Sequence, residues 1–303
     1  MNPHIEAVAN FAQEHVASRD IDPVYPVARY LQRSYGRERA LWHSLVYVAY
    51  YNIASAETAF NPLCEWLYAD WTVSDAILKL PTGTERRNLR TAQKMMIHLS
   101  ALAECSEEHG GFDNWLRDGL GPDAYANWNA LDERLQVPWG NGRWASYKTR
   151  EVLWKVNDFP LAAPDTGMAN SSGPRDGLAV IFPTSAEWTG NDPNTINQLE
   201  TLAWWLRDEL ASAHEVDLPI EELETVLCDY HALIEGRYYV GHDIDLMLEQ
   251  TLADTVHPDA RRRILEAREA TLPHQYLGEL NGWWSVDRER KYAFRDERRL
   301  MVR

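Results

Sequence analysis

Apolar residues recur at helical spacing through nearly the whole chain, and no strand-like alternation of apolar and polar residues persists. Leu199, Leu202 and Leu206 form one such stripe, and Leu223 and Leu227 begin another. A chain of 303 residues is long enough to bury a full-sized core. We therefore predict an all-α fold of two closely packed helical lobes that form a single domain over residues 1–303.

The composition excludes several classes of protein. No apolar run approaches the roughly eighteen residues that a membrane span needs, and the N-terminus lacks the pattern of a signal peptide. The three cysteines, Cys64, Cys105 and Cys228, lie far apart and outside any Cys-x-x-Cys pattern. We expect a cytoplasmic protein that has no membrane partner and needs no metal or other cofactor.

Helix boundaries follow from caps and from proline. The pattern predicts one long aromatic helix over Arg37–Phe60, and Asn61 and Pro62 are expected to start the next helix. Further along, Thr84 is the predicted N-cap of a helix that extends to about Glu107.

The predicted N-cap determines where two arginines lie in the helix. It places Arg86 and Arg87 in the first helical turn, where their positive charges oppose the helix dipole. The conflict favours an anionic ligand such as a phosphate group. Ordinary surface salt bridges are an equally good explanation.

A Gly-x-Gly turn, formed by Gly140 and Gly142, lies near the middle of the chain. Pro138 comes just before it, and a helix with apolar residues at regular spacing follows over Arg143–Asn157. A turn of this kind that opens a helix exposes several backbone N–H groups together, which suits a phosphate. Arg143 and Lys148 would add positive charge, although a simple corner between two helices has the same pattern.

The wider stretch resembles the helix-hairpin-helix of base-excision DNA glycosylases. The matching residues are Val137, Pro138, Gly140, Gly142, Arg143, Trp144 and Ala145. The resemblance implies a hairpin over about residues 135–157 that binds the DNA backbone, and a catalytic carboxylate at Asp165 that acts on a base flipped out of the duplex. Trp139 stands where these enzymes usually have glycine, and the hairpin has no lysine of the kind that the bifunctional lyases use.

The charge distribution is uneven. The chain has 30 basic and 46 acidic residues, for a net charge of −16, which at first argues against a nucleic-acid partner. However, Thr84–Lys94, Arg143–Lys155 and the basic tail at 285–303 together carry 15 basic and 6 acidic residues. The pattern is consistent with a basic face on an acidic body, and equally with solvated acidic helices.

Five more candidates come from the second half of the chain. Arg175 lies near the start of a predicted helix and is a candidate ligand for a second anionic group, although this segment also reads as a plain connector. Asp229 lies in mid-helix among apolar residues, which indicates either a basic partner or a shifted pKa. His231 lies on the same helix, and Tyr238 and Tyr239 follow in a loop bounded by glycines. His242, Asp243 and Asp245 have weak spacing for a metal site.

Several segments together resemble the amino acid:DNA transferases, also called α-glutamyl/putrescinyl thymine pyrophosphorylases, a bacteriophage family of the same glycosylase-like superfamily. They are Tyr47–Asn52, Leu80–Arg87, Gly142–Lys148, Ser172–Leu178 and Leu227–Gly241. The resemblance implies an enzyme of thymidine hypermodification in the infected host cell. Its partners would be double-stranded DNA that carries a modified thymine, and a small amine or amino acid donor.

The implied reaction replaces the pyrophosphate of pyrophosphorylated 5-hydroxymethyluracil with that amine. Asp165 or Asp229 would then be the base, and Arg86, Arg87, Arg175 and the hairpin would bind DNA or pyrophosphate. His231, Tyr238 and Tyr239 would line the substrate pocket. Two alternatives stay open: a monofunctional DNA glycosylase, and a non-enzymatic helical DNA-binding or scaffold protein. The sequence does not identify the amine.

Overall fold

A computed structural model describes residues 3–69, 71–169 and 171–277. These residues form helices and connecting segments with no strand, so the all-α prediction is confirmed. The predicted basic tail at 285–303 lies outside the described residues. Within the described ranges, no helix combines the length and apolar character needed to cross a membrane.

The α-helices are numbered in chain order. They are α1 Pro3–Ser18, α2 Val24–Gln32, α3 Arg37–Tyr50, α4 Ile53–Ala69, α5 Asp75–Leu78, α6 Ala92–Glu108, α7 Phe112–Arg117, α8 Ala124–Leu135, α9 Arg143–Asn157, α10 Gly173–Ile181, α11 Pro193–His214, α12 Ile220–Ile234, α13 His242–Leu252 and α14 Pro258–Thr271. Short 3₁₀ helices cover Thr84–Leu89, Pro183–Glu187 and His274–Tyr276.

The chain divides into two compact units, each built from separate stretches of sequence. Among the described residues, the first, which we call the α12 unit, comprises 3–23, 163–169, 171–245 and 272–277. In it, α1, α10 and α11 pack against α12. Its core contains fully buried leucines from three of these helices: Leu178, Leu206 and Leu227.

The second, which we call the hairpin unit, comprises residues 24–162 and 246–271. Helix α3 lies at its centre and contacts α2, α4, α6, α7 and α9. Ten consecutive residues of α3, from Leu41 to Tyr50, are buried, so this part of the helix is enclosed on every side. Trp42, Trp115 and Trp128 are among its largest fully buried side chains, so these tryptophans are core residues.

The prediction of one helix over Arg37–Phe60 was wrong. Tyr51 has a left-handed backbone with φ of 47°, which ends α3. Asn52 then starts the next helix, because its Oδ1 accepts a hydrogen bond from the Ser55 N–H at 3.1 Å. The expected restart at Pro62 was also wrong, since this proline lies inside α4. The capping side chain of Asn52 was the boundary signal.

The predicted cap at Thr84 was also wrong. Residues 84–89 form a separate 3₁₀ segment, and Thr91 caps α6 by accepting the Lys94 N–H at 3.3 Å. Arg86 and Arg87 therefore precede the helix that they were expected to begin, and the argument from its dipole does not apply to them.

Candidate active site

Helix α12 is held against α10 by backbone contact. A Cβ atom on Gly177 would lie 2.0 Å from the Leu227 carbonyl oxygen, and one on Gly173 would lie 2.3 Å from the Cys228 Sγ. Only glycine fits at distances this short, so the two helices approach more closely than side chains would allow. This contact fixes the part of α12 that immediately precedes Asp229.

A fully buried carboxylate, Asp20, lies in the connection after α1. Its Oδ2 accepts hydrogen bonds from the Tyr238 hydroxyl and from the Gly241 N–H, both at 2.5 Å. Its Oδ1 accepts the Ile244 N–H at 3.0 Å. Asp20 therefore joins the end of α1 to the loop that leads into α13, and all three donors satisfy a group that would otherwise be costly to bury.

Three further side chains connect Asp20 to the surface. The Tyr238 hydroxyl is 2.8 Å from the Nε2 of His15, which is completely buried. That Nε2 lies 3.5 Å from the Oδ2 of Asp229. The Asp229 side chain is 17% exposed, while its Oδ2 is enclosed and has no hydrogen-bond partner among the described residues. We call Asp20, Tyr238, His15 and Asp229 the carboxylate relay.

Burial and mutual repulsion shift the acidity of the relay. Burial, with the charge of Asp243 added, raises the pKa of Asp20 to about 7. Burial also raises the pKa of Asp229 well above its ordinary value, and the nearby Asp243 and Asp20 raise it further. Burial lowers the pKa of His15 to about 4, against the opposing effect of Asp243. At neutral pH, His15 is therefore uncharged, and burial favours the protonated form of Asp229.

The pKa of a second histidine beside the relay, His242, shifts in the opposite direction from that of His15. Burial acts to lower the pKa of His242, but its hydrogen bond to Asp243 and the surrounding carboxylates raise it overall. The His242 Nδ1 lies 2.9 Å from the Asp243 Oδ1. Among the residues with described positions, no group of three or more His, Cys, Asp or Glu side chains is arranged to hold a metal ion.

Asp165 lies in the loop after α9, in the same unit as the relay. It is half-buried, and its Oδ1 accepts the Gly167 N–H at 3.0 Å. The loop is shaped mainly by Glu200, which accepts the N–H groups of Thr166 at 2.9 Å and of Met168 at 2.8 Å. Burial raises the pKa of Glu200, and these hydrogen bonds oppose the rise. Within the described part of the chain, Asp165 forms no hydrogen bond or ion pair with a member of the relay.

In the hairpin unit, α8 and α9 form a hairpin around the Gly-x-Gly turn. Gly140 has φ of +89°, and an added Cβ would lie 2.9 Å from the His98 ring. The His98 Nδ1 is 2.7 Å from the Trp139 carbonyl oxygen, and Arg86 donates to the Gly140 carbonyl at 3.0 Å. Because Nδ1 must be the donor to that carbonyl, the neutral His98 accepts from Arg86 at Nε2, 3.0 Å away.

The outer side of this turn is open to solvent. Val137 is 73% exposed and Trp139 is 47% exposed, although both are apolar. Gly142 caps α9, and no heavy atom lies within 4 Å of the position that its Cβ would occupy. The turn is thus fixed from beneath by Arg86 and His98, and it presents apolar side chains and a helix start to solvent.

The family model that describes amino acid:DNA transferases matches residues 16–239. The chain belongs to the amino acid:DNA transferase family. It is therefore a transferase that acts in DNA modification, with DNA and an amino acid as its substrates, and the hypothesis of a non-enzymatic scaffold falls away. No curated protein sequence matches the chain.

The match spans most of the candidate residues of this transferase. It includes Asp20, Asp165, Asp229 and Tyr238, and it ends at Tyr239. His15 lies one residue before the matched segment. The matched segment therefore contains three of the four members of the carboxylate relay, together with the whole helical hairpin.

Several predicted ligands have other partners in the transferase. Arg86 is only 2% exposed and is engaged beneath the turn, so its guanidinium does not face solvent as a DNA ligand would. Lys148 is buried and lies 2.7 Å from the Glu151 carboxylate. Arg87 is exposed and Arg143 is half-buried, so these two remain candidates for phosphate contact.

Arg175 connects two loops of the α12 unit. It donates to the Met168 carbonyl at 2.7 Å, to the Gly190 carbonyl at 3.1 Å and to the Asn191 Oδ1 at 2.6 Å. Most of its donors are therefore engaged by the protein itself, which is the behaviour of a structural arginine. Its expected contact with an anionic substrate stays a prediction.

The predicted pocket residues separate into two groups. Tyr238 is a member of the relay, whereas the Tyr239 hydroxyl donates to Asp245 at 2.6 Å. His231 is half-buried, and its Nε2 lies 3.6 Å from the Glu235 carboxylate on the same helix. Sequence reasoning named Asp229 and Tyr238 as candidates but did not distinguish them from their neighbours, and the functional roles of all these residues stay a prediction.

Two members of the relay were missed in the sequence. His15 continues the buried stripe of α1 formed by Val8, Phe11 and Ala12, so a titratable group on an apolar face was the available signal. Asp20 lies in the short connection between α1 and α2, where an aspartate is an ordinary loop residue. Nothing in its local sequence indicates that it pairs with Tyr238, more than two hundred residues later.

Proposed function

We propose that this transferase joins the amino group of an amino acid or polyamine to the 5-methylene of pyrophosphorylated 5-hydroxymethyluracil in DNA, and releases pyrophosphate. The observation that carries the proposal is the relay, in which a carboxylate with a strongly raised pKa reaches the surface at Asp229. The substrate itself comes from the resemblance to the thymine-modifying enzymes of bacteriophages.

The bond changes balance without a cofactor. The lone pair of the amine nitrogen attacks the methylene carbon, and a carbon–nitrogen bond forms as the carbon–oxygen bond to pyrophosphate breaks. The bonding electrons leave on the pyrophosphate oxygen. Before this attack, the ammonium group of the donor gives one proton to a protein base, which frees the lone pair. After attack the nitrogen is positively charged and releases a second proton to water, so the product is a secondary amine on the thymine methyl position.

Asp229 is the residue that we assign as this base. An amino donor arrives as an ammonium ion, and the nearby charges of Asp243, Asp20 and Asp22, which raise the pKa of Asp229, also attract a cation. The ionised form of a carboxylate with a raised pKa is a stronger base than an ordinary carboxylate. The cation in turn favours that ionised form, so donor binding prepares Asp229 to accept the proton.

His15 and Tyr238 are assigned as positioning residues for Asp229. His15 is uncharged at neutral pH, since burial lowers its pKa to about 4, and its Nε2 lies 2.8 Å from the Tyr238 hydroxyl. Tyr238 in turn donates to Asp20. This arrangement fixes the ring of His15 beside Asp229 without placing a permanent positive charge there, which would depress the basicity of the carboxylate.

The hairpin is assigned to DNA binding. The open amides at the start of α9, with Arg87 and Arg143, suit the phosphates of the DNA backbone. The target base must leave the stack before its methylene can react, as in other enzymes that modify bases within a duplex. The exposed Trp139 offers an apolar surface for an unstacked base or base step.

The experiment is mass spectrometry of nucleosides from pyrophosphorylated duplex DNA that has been incubated with the protein and a pool of amines. A new aminated nucleoside, with one pyrophosphate released per transfer, is the expected result. Activated DNA that stays unchanged with every donor contradicts the proposal. Abasic sites without an aminated product would instead indicate a glycosylase.

Two variants with a matched control identify the base. Asp229→Asn is expected to abolish transfer while DNA binding persists. Asp165→Asn tests the other predicted base, and its transfer rate is expected to stay within a fewfold of the parent. Asp208→Asn, on α11 with 68% of its side chain exposed, controls for loss of one negative charge in the same unit. Loss of transfer in Asp165→Asn alone would move the base to Asp165.

A further inference from the structure

A concave pocket of about 230 Å³ opens on the hairpin unit and is lined by four arginines. They are Arg29, Arg33, Arg37 and Arg117, and one carboxylate, Asp158, lines the pocket with them. No residue of this pocket belongs to the turn between α8 and α9 or to the carboxylate relay. The chain as a whole carries a net charge of −16, so this concentration of guanidinium groups runs against its overall charge.

Two of the arginines compete for a single carboxylate. The Nε atoms of Arg37 and Arg117 lie 2.7 Å and 3.0 Å from the same oxygen, Oδ1 of Asp113. Within the described part of the chain, the two terminal nitrogens of Arg37 have no hydrogen-bond partner. This pair therefore carries one more positive charge than its partner neutralises, and it retains free donors.

The guanidinium group of Arg117 is also partly withdrawn from water. Arg117 is stacked over the Phe159 ring at 3.8 Å and donates to the Asn157 carbonyl at 3.3 Å. Burial lowers the pKa of Arg117, and the charge of Arg37 lowers it further. Both effects disfavour the positive charge, and a bound anion would relieve both.

Two neutral side chains of the pocket lining, Gln32 and Asn157, belong to one hydrogen-bonded group. Asn157 donates to the Gln32 Oε1 at 2.8 Å, and it accepts the Ser44 hydroxyl at 2.7 Å. Gln32 donates in turn to Ser44 at 3.0 Å. These carboxamides satisfy one another and carry no charge, and the carboxylate in the lining, Asp158, pairs with Arg29 at 2.7 Å.

We propose that this pocket binds a phosphate group, with Arg37 and Arg117 as its principal ligands and Arg29 and Arg33 at its sides. Arginine is suited to this role because its planar guanidinium donates two parallel hydrogen bonds to phosphate oxygens. The phosphate belongs either to the DNA backbone or to free pyrophosphate. The pocket binds it whichever reaction the carboxylate relay performs, so the inference does not depend on the proposed chemistry.

Calorimetry with pyrophosphate and fluorescence anisotropy with an unmodified duplex oligonucleotide test the site on the full chain. Arg37→Gln is the principal variant, because this exposed residue begins α3 and contributes little to the core. Arg117→Lys keeps the charge but removes the planar fork. Lys79→Gln is the matched control, since Lys79 is 57% exposed, as Arg37 is, and pairs with one carboxylate outside the pocket.

We expect Arg37→Gln and Arg117→Lys each to weaken binding of one ligand by about tenfold or more, as expected for a lost charge-assisted hydrogen bond. If the occupant is free pyrophosphate, only its affinity falls. If it is backbone phosphate, duplex affinity falls, and Arg37→Gln reduces the salt dependence by about one counterion. Unchanged affinity for both ligands in both variants, or equal losses in Lys79→Gln, would overturn the proposal.

Discussion

Replacement of Asp20 by asparagine tests whether the buried end of the relay carries a proton. In the folded protein, burial and the charge of Asp243 raise the pKa of Asp20 to about 7, compared with 3.8 for an ordinary aspartate. The folded state therefore binds a proton that the unfolded chain has already released over this range. Stability from this group is fully present below about pH 4 and is lost as the pH rises towards 7.

The expected effect of Asp20→Asn on the unfolding free energy has two parts. Between pH 5 and pH 7, the wild-type protein should lose up to about 1.4 kcal/mol of unfolding free energy per pH unit through Asp20. Asp20→Asn does not titrate and lacks this loss. The variant pays a constant cost of about 1–3 kcal/mol instead, because asparagine cannot accept all three hydrogen bonds from Tyr238, Gly241 and Ile244.

Urea unfolding, followed by circular dichroism at several pH values from 5 to 8, measures both parts. We expect Asp20→Asn to be less stable than wild type at pH 5. The difference in unfolding free energy between the two should then shift steadily in favour of the variant up to pH 7. Asp192→Asn is the control, since hydrogen bonds from Thr195 and Asn194 lower the pKa of Asp192, which therefore stays ionised throughout this range. A constant difference between Asp20→Asn and wild type from pH 5 to pH 8 would refute the reasoning.

Three further predictions concern packing and DNA binding. Gly177→Ala should lower both the melting temperature and the transfer activity, because its Cβ would lie 2.0 Å from the Leu227 carbonyl oxygen. An unchanged melting temperature would contradict that contact. Arg87→Gln should weaken duplex binding and reduce its salt dependence by about one counterion in an anisotropy titration, whereas an unchanged salt slope would remove Arg87 from the interface. Trp139→Ala should leave stability within about 0.5 kcal/mol, since Trp139 is 47% exposed, but weaken DNA binding by about 1–3 kcal/mol; equal duplex affinity would exclude stacking by this residue.

The sequence predicted the elements better than their boundaries. Apolar spacing alone indicated an all-α fold, because each amphipathic helix must bury one face. The break between α3 and α4 was missed because both helices are apolar on many sides, so spacing gives no signal at Tyr51 and Asn52. A side-chain cap and one left-handed residue decide that boundary.

The site was predicted only where its chemistry shows locally. Asp229 was recognisable because a carboxylate in an apolar stretch of helix needs a physical explanation. His15 and Asp20 act through partners distant in the sequence, and a single chain gives no sign of such pairing. Arg86 illustrates the opposite error, since an arginine that follows a turn suggests a phosphate ligand, yet here it supports the turn through Gly140.

Glycine has two structural roles in this chain that the sequence does not distinguish. The Gly-x-Gly turn at residues 140–142 opens a helix to solvent, as the pattern predicted. Gly173 and Gly177 begin a helix in a similar context, but they are required for its close contact with α12. Only the position of the neighbouring helix distinguishes a turn that is open to solvent from a helix that packs closely.

The proposed mechanism requires that Asp229 removes a proton from the incoming amine. Transfer rates of Asp229→Asn, measured with an ordinary amino acid and with a weakly basic donor such as hydroxylamine, test it most directly, because hydroxylamine is already largely unprotonated at neutral pH. We predict that Asp229→Asn is inactive with the amino acid and recovers substantial activity with hydroxylamine. Equal losses with both donors, with the fold intact, would contradict the assignment of Asp229 as the base.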